Sequence, residues 1–182
     1  MVMELLAGRS LDAELKECGR LGAEEAIGIA VQLLAGLEAV HGLGLVHRDV
    51  KPANVFLCDP KEGGKPLVKL LDFGLTKVVS EGKAPVAPLA VPTVAGMVVG
   101  TPRYLSPEQI CGQPVDGRAD QYAAALVLYK MLCGEGPFDA HGRAELLVAH
   151  LSEAPAPPSA HLPELSAELD AVVLKGLAKR PA

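Results

Sequence analysis

The stretch that decides the fold is His47-Arg48-Asp49-Val50-Lys51-Pro52-Ala53-Asn54. Pro52 forbids a regular helix through this point and stiffens the chain. Asp49, Lys51 and Asn54 therefore leave one short, rigid segment as a carboxylate, a cation and an amide. A carboxylate can orient a hydroxyl and accept its proton. An ammonium group can neutralise charge developing on a phosphoryl group, and an amide oxygen is a hard ligand suited to Mg²⁺. Outward along the chain come three companions. Asp72-Phe73-Gly74 follows the apolar run Leu67–Leu71, which places a carboxylate at a strand end with glycine letting the chain turn away. Gly100-Thr101-Pro102-Arg103-Tyr104-Leu105-Ser106-Pro107-Glu108 is the next, and Asp120 opens a long apolar helix.

Taken singly, each residue has an ordinary explanation. A loop Asp is most often a turn or capping residue, and an Asn before an apolar run is most often a turn. Asp-Phe-Gly alone is a weak tripeptide, and His47 reads as a packed, hydrogen-bonded core residue rather than a proton carrier. What carries weight is that all four pieces agree in type, order and spacing. Asp72 and Asn54 together would make an oxygen-only metal site.

The rest of the chain supplies a scaffold. Ser10 is placed to cap a short helix over Leu11–Cys18, with Gly19 as its stop. A longer helix is predicted over Ala23–His41, with Ile27, Ala30, Val31, Leu34 and Leu37 recurring on one face. Val46–Asp59 and Leu67–Leu71 read as short strand and loop, joined by a turn at Lys61–Pro66 that holds Gly63, Gly64 and Pro66. Helices are predicted over Arg118–Cys133, Arg143–Leu151 and Leu165–Ala178, the first of them apolar all round at Ala123–Leu128. No repeat or second domain shows. The fold class expected is α+β: a mainly helical lobe with a small β-hairpin insert.

Composition narrows the function classes. The 182 residues are 49% hydrophobic, 21% charged and 3% aromatic, with a net charge of −5. One domain with a real core follows, and no basic patch speaks for nucleic acid. Cys18, Cys58, Cys111 and Cys133 form no paired spacing, so free thiols in a reducing, cytoplasmic compartment fit better than disulfides or zinc. The N-terminus carries no signal-peptide pattern. The charge-free run Ala84–Pro102 is long enough to cross a bilayer, but Pro85, Pro88, Pro92 and Pro102 make it a loop, so no membrane segment is expected.

On these residues the chain resembles the protein kinase family. His47–Asn54 is similar to its catalytic loop, Asp72-Phe73-Gly74 to its magnesium motif, and Ser106-Pro107-Glu108 to the Ala-Pro-Glu that ends the activation segment. Lys51, two after Asp49, is the serine/threonine-type choice, and Gly100–Gln109 is most like bacterial eukaryote-type serine/threonine kinases. The resemblance implies a kinase-like fold spanning residues 1–182, with a hinge at 1–9, a helical lobe at 10–182 and an activation segment at 72–108. It implies ATP and Mg²⁺ as cofactors, and protein Ser/Thr hydroxyls as phosphoryl acceptors. Asp49 would be the base or substrate-orienting carboxylate, Lys51 would steady the γ-phosphate, and Asn54 with Asp72 would hold magnesium. Thr101 would hydrogen-bond near Asp49 and Lys51 in the substrate loop. Arg48 would pair with a phosphorylated activation loop, for which Thr93 is the first candidate, ahead of Thr76 and Ser80. Met3-Glu4-Leu5-Leu6 looks like the gatekeeper and hinge. The backbone of Glu4 and Leu6 would then bind adenine, Ser10 would contact ribose and Phe56 would lie under the base. The partners implied are ATP, a Ser/Thr-bearing protein and a second kinase molecule as dimer partner.

These 182 residues contain no G-x-G-x-x-G and no Val-Ala-Ile-Lys-type strand, the groups that cover and orient the phosphates in the family. The arginine that normally pairs with the glutamate at position 108 is also missing, so Glu108 is expected to stand unpaired. With hinge, floor and metal ligands but no roof, the chain alone is expected to bind ATP weakly and transfer phosphate slowly. Two other readings compete. One is a kinase-like lobe acting as a non-catalytic binding or regulatory module. The other is a small-molecule phosphotransferase, against which the polypeptide-docking segment Gly100–Glu108 argues.

Overall fold

The most apolar segment becomes the central helix of the lobe. The structure, a computed structural model, describes residues 4–60, 64–71, 77–78, 102–138 and 142–180. Helix α4 (Gly117–Cys133) starts at Asp116, whose carboxylate accepts the Arg118 N–H, and stops at Gly134 in the left-handed region. Its residues Tyr122, Ala123, Leu126, Val127, Tyr129, Met131 and Leu132 are buried. A helix apolar on every side needs neighbours on every side. Helix α2 (Ala23–Gly42) packs along it, and α6 (Ala167–Gly176) packs on it as well. At the α4–α6 crossing a Cβ on Gly176 would stand 2.7 Å from the Ala125 Cβ, so glycine sets how closely the two approach.

Helix α1 (Leu11–Cys18) starts as the sequence predicts, with Ser10 Oγ accepting the Ala13 N–H at 3.2 Å. Helices α3 (Pro107–Ile110) and α5 (Arg143–Ser152) complete the lobe, with 3₁₀ turns at Pro52–Asn54, Pro102–Tyr104 and Pro158–Ala160. α2 corrects one expectation. Its buried residues are Ala26, Ile29, Ala30, Leu33 and Leu37, whereas Ile27, Val31 and Leu34 are 41%, 59% and 45% exposed. The helix is apolar around most of its circumference, so its periodicity fits two overlapping stripes. Contact with α4 selects one of them.

The hairpin insert is present. Strands β3 (Val55–Cys58) and β4 (Leu67–Leu70) pair antiparallel, with Val55 opposite Leu70 and Leu57 opposite Val68. The sequence did not foretell a third strand, β1 (Gly8–Ser10), which pairs with β3 to give the order β1-β3-β4. The backbones meet tightly there. Gly8 has φ 135°, and a Cβ on it would lie 2.1 Å from the Leu57 carbonyl oxygen, so no other residue fits without moving β3. A second small ladder joins β2 (Leu45–Val46) to β5 (Lys77–Val78). Among the described residues no helix is long and apolar enough to cross a membrane. All four cysteines are free thiols.

Candidate active site

Strand β2 leads directly into the loop at 47–54, and the loop leads into β3. Its floor is His47, fully buried, whose Nε2–H donates to the Leu71 carbonyl at 3.1 Å while Nδ1 accepts the Asp49 N–H at 3.3 Å. The packed, bonded role read from sequence is the one observed. Arg48 then takes φ 67°, the one positive φ outside glycine among the described residues. A bulky side chain resists that region, so something must hold it there. Asp120 does so. Its Oδ1 accepts the Arg48 N–H at 2.7 Å and its Oδ2 accepts the His47 N–H at 2.8 Å. From the other side, Gln109 Nε2 donates to the Arg48 carbonyl at 3.0 Å.

Past the clamp, three functional groups converge. Lys51 Nζ lies 2.7 Å from Asp49 Oδ2. Asn54 Nδ2 donates to the same Oδ2 at 3.0 Å and to the Asp49 carbonyl at 2.8 Å. Both amide hydrogens of Asn54 are thereby engaged. Its Oδ1 accepts no hydrogen bond among the described residues and is left as an oxygen donor. The Asn54 backbone also anchors the next segment, its carbonyl accepting the Leu71 N–H at 2.8 Å. Leu71 is thus bonded to the loop through both its N–H and its C=O, immediately before Asp72.

The other sequence-designated residues fall into two groups. By strand register Ser10, Phe56 and Lys69 lie side by side across the sheet, and Phe56 is half-buried. Ser10 Oγ is used by the α1 cap. Residues 4–7 form no strand. Glu4 is ion-paired to Lys69, and Leu6 is half-buried. Asp72, Thr76, Ser80, Thr93 and Thr101 lie outside the described residues.

Sequence reasoning missed three supporting side chains. His41, near the end of α2, brings Nε2 to 2.8 Å from Asp120 Oδ2. Gln109 belongs to a capping box with Ser106, accepting the Ser106 N–H at 3.0 Å through Oε1. Its signal was the Ser-x-x-Gln spacing before α3. Arg118 lies close enough to Glu108 to feel its charge, besides bonding Asp116 at 2.7 Å. Glu108 therefore has a cation of α4 in its neighbourhood, one that a search confined to the chain's end overlooks.

A helical lobe floored by a small sheet, with Asp, Lys and Asn gathered on one bent loop, is the arrangement of a phosphoryl-transfer domain. A protein kinase domain family profile matches residues 1–181, and the chain belongs to the protein kinase family. It is 42% identical over 181 residues to the serine/threonine-protein kinase Pkn1 of Myxococcus xanthus, covering all of this chain and 25% of that protein. It is 39% identical over 181 residues to the serine/threonine-protein kinase PknB of Mycobacterium tuberculosis, covering all of this chain and 27% of that one. A probable serine/threonine-protein kinase PknB of Corynebacterium glutamicum is 37% identical over 186 residues, with the same full coverage of this chain and 27% of its own length. The chain therefore spans about a quarter of the length of these curated relatives.

Proposed function

We propose that this domain transfers the γ-phosphate of ATP to Ser or Thr hydroxyls of proteins. The observation that carries the reading is the convergence of Lys51 and Asn54 on a single oxygen of Asp49. Asp49 would orient the acceptor hydroxyl and take its proton. Lys51, now held by Asp49, would swing its ammonium to the transferring phosphoryl group. Little covalent chemistry is asked of the protein, so positioning and charge neutralisation carry the rate.

Mg²⁺ supplies charge neutralisation on the phosphate oxygens when bound. Asn54 fits such an ion, because its amide hydrogens are engaged and its Oδ1 is left to donate. Asp72 would be the second ligand, one residue beyond the anchored Leu71. Among the described residues no group of three or more His, Cys, Asp or Glu side chains is placed to hold a metal. Residues 1–9 would be the hinge, with the backbone of Glu4 and Leu6 reading adenine over Phe56 and Ser10 near the ribose. Residues 72–108 would be the activation segment, Thr101 its substrate-side hydroxyl and Thr93 its phosphosite. Arg48 supports that last role, since its Nε is buried and finds no partner among the described residues.

The test is Asp49→Asn, read by incorporation of radiolabelled phosphate into a protein acceptor alongside nucleotide binding. Transfer should fall at least about 100-fold with binding retained. Equal transfer by the two proteins would sink the assignment, and a non-catalytic binding role would then be the better reading.

A further inference from the structure

The peptide bond that enters Asp49 is held at both of its polar ends. Its N–H, on Asp49, is accepted by His47 Nδ1 at 3.3 Å, and its C=O, on Arg48, accepts Gln109 Nε2 at 3.0 Å. The carbonyl of Asp49 itself accepts Asn54 Nδ2 at 2.8 Å. His47 and Asn54 belong to the loop, whereas Gln109 arrives from α3, 61 positions further along the chain. The Gln109 amide is fixed in one orientation. Its Oε1 accepts the Ser106 N–H at 3.0 Å while its Nε2 faces the Arg48 carbonyl. Turning the amide over would set donor against donor and acceptor against acceptor. Ser106 and Pro107 are buried, so the capping box that holds Gln109 is itself anchored.

We propose that Gln109 is a positioning residue for phosphoryl transfer. It fixes the peptide plane that carries Asp49, and so makes the aim of that carboxylate depend on where the 102–110 segment sits. The inference rests on the reading of Asp49 as the acceptor-orienting group. Aim matters there, because a displacement of about 1 Å can cost about 100-fold in rate. Asp120 grips the same loop from α4, by the N–H groups of His47 and Arg48. Gln109 grips it by a C=O, from the segment that leads out of the Pro102–Tyr104 turn. A shift of that segment is passed to Asp49 through the Gln109 amide, while α4 holds its own end of the loop unchanged.

Gln109→Glu separates the two roles of the side chain. Glutamate keeps an acceptor for the Ser106 N–H, since Ser-x-x-Glu is also a capping box, but it has nothing to donate to the Arg48 carbonyl. Two measurements on the 182-residue chain test the proposal. Transfer of radiolabelled phosphate to a protein acceptor should show kcat lowered about tenfold with KM for ATP unchanged. Amide hydrogen exchange by NMR should show the Asp49 N–H exchanging about tenfold faster while the α4 amides keep their native rates. Gln109→Met removes both roles, so it should repeat both effects and lower the melting temperature as well. It decides the matter if Gln109→Glu does not fold. Native exchange at Asp49 in a folded variant would overturn the positioning role whatever happens to kcat, and a native kcat would overturn it too, leaving Gln109 as a helix cap. Absence of transfer by the native chain, with Asp49 exchange accelerated in the variants, would strike the transferase reading alone and uphold the link from Gln109 to Asp49.

Discussion

Arg48 and Asp120 meet through one hydrogen bond of 2.7 Å across 72 positions of sequence, and that bond holds a backbone turned to φ 67°. The carboxylate is 1% exposed and bonds two adjacent N–H groups as well as the His41 ring. Replacing it by Ala leaves buried donors unsatisfied, which costs on the order of 2–4 kcal/mol. Denaturant unfolding of Asp120→Ala should show that loss. Adding Arg48→Gly should return about 1 kcal/mol, because glycine adopts the turned backbone without strain. If the second change brings no recovery, the turn at Arg48 is not strained.

Gly117 tests the same clamp from behind. A Cβ there would lie 2.7 Å from His41 Nδ1 and 2.8 Å from its Cε1, and that ring is held by Asp120. Alanine is ordinarily the better helix former by about 1 kcal/mol. Gly117→Ala should nevertheless destabilise the fold by a net of about 1–2 kcal/mol through overpacking, read as a lower melting temperature. A rise in melting temperature would mean that the ring moves aside freely.

Acid should weaken the lobe through His150. Burial, with a smaller push from Lys179, lowers its imidazole to about 4, and the ring is packed between Phe138 and Tyr122, whose hydroxyl bonds Nδ1 at 2.9 Å. An unfolded histidine titrates near about 6.5, so between these values the unfolded chain binds more protons than the folded one. Stability attributable to this group is fully present above the unfolded value and is lost as pH falls from 6.5 toward 4, on the order of 2–3 kcal/mol in all. His150→Leu should flatten that part of the stability–pH curve. An unchanged slope would show that other groups produce it.

The 182 residues by themselves hold no glycine-rich loop to cover the phosphates. Purified alone with Mg²⁺ and radiolabelled ATP, the polypeptide should bind nucleotide weakly and autophosphorylate slowly. Robust autophosphorylation would contradict this.

What could be read from sequence divides along physical lines. Asp49, Lys51 and Asn54 were legible because short-range spacing on a proline-stiffened loop fixes which groups can meet. The cap at Ser10 and the hairpin at Val55–Leu70 were legible for the same local reason. The α2 face was misread because Ile27, Val31 and Leu34 are as apolar as the residues that α4 actually covers. β1 escaped notice because Gly8-Arg9-Ser10 has no strand pattern of its own and is a strand only by pairing with β3. Asp120 stood out as an acid in an apolar helix, which is a strong hint of a buried bond. Its partners lay too far along the chain to be named.

The distance from His47 to Asp120 has a further meaning for how the protein is made. A loop that borrows its shape from a helix 73 residues later cannot be set while the ribosome is still building the segment between them. The N-terminal helices can form early from local contacts. The 47–54 turn must wait for α4 to emerge and dock, a step slowed by long-range loop closure. The loop therefore takes its bent shape only once α4 has been made, and a nascent chain interrupted before α4 would carry every residue of the loop without that shape.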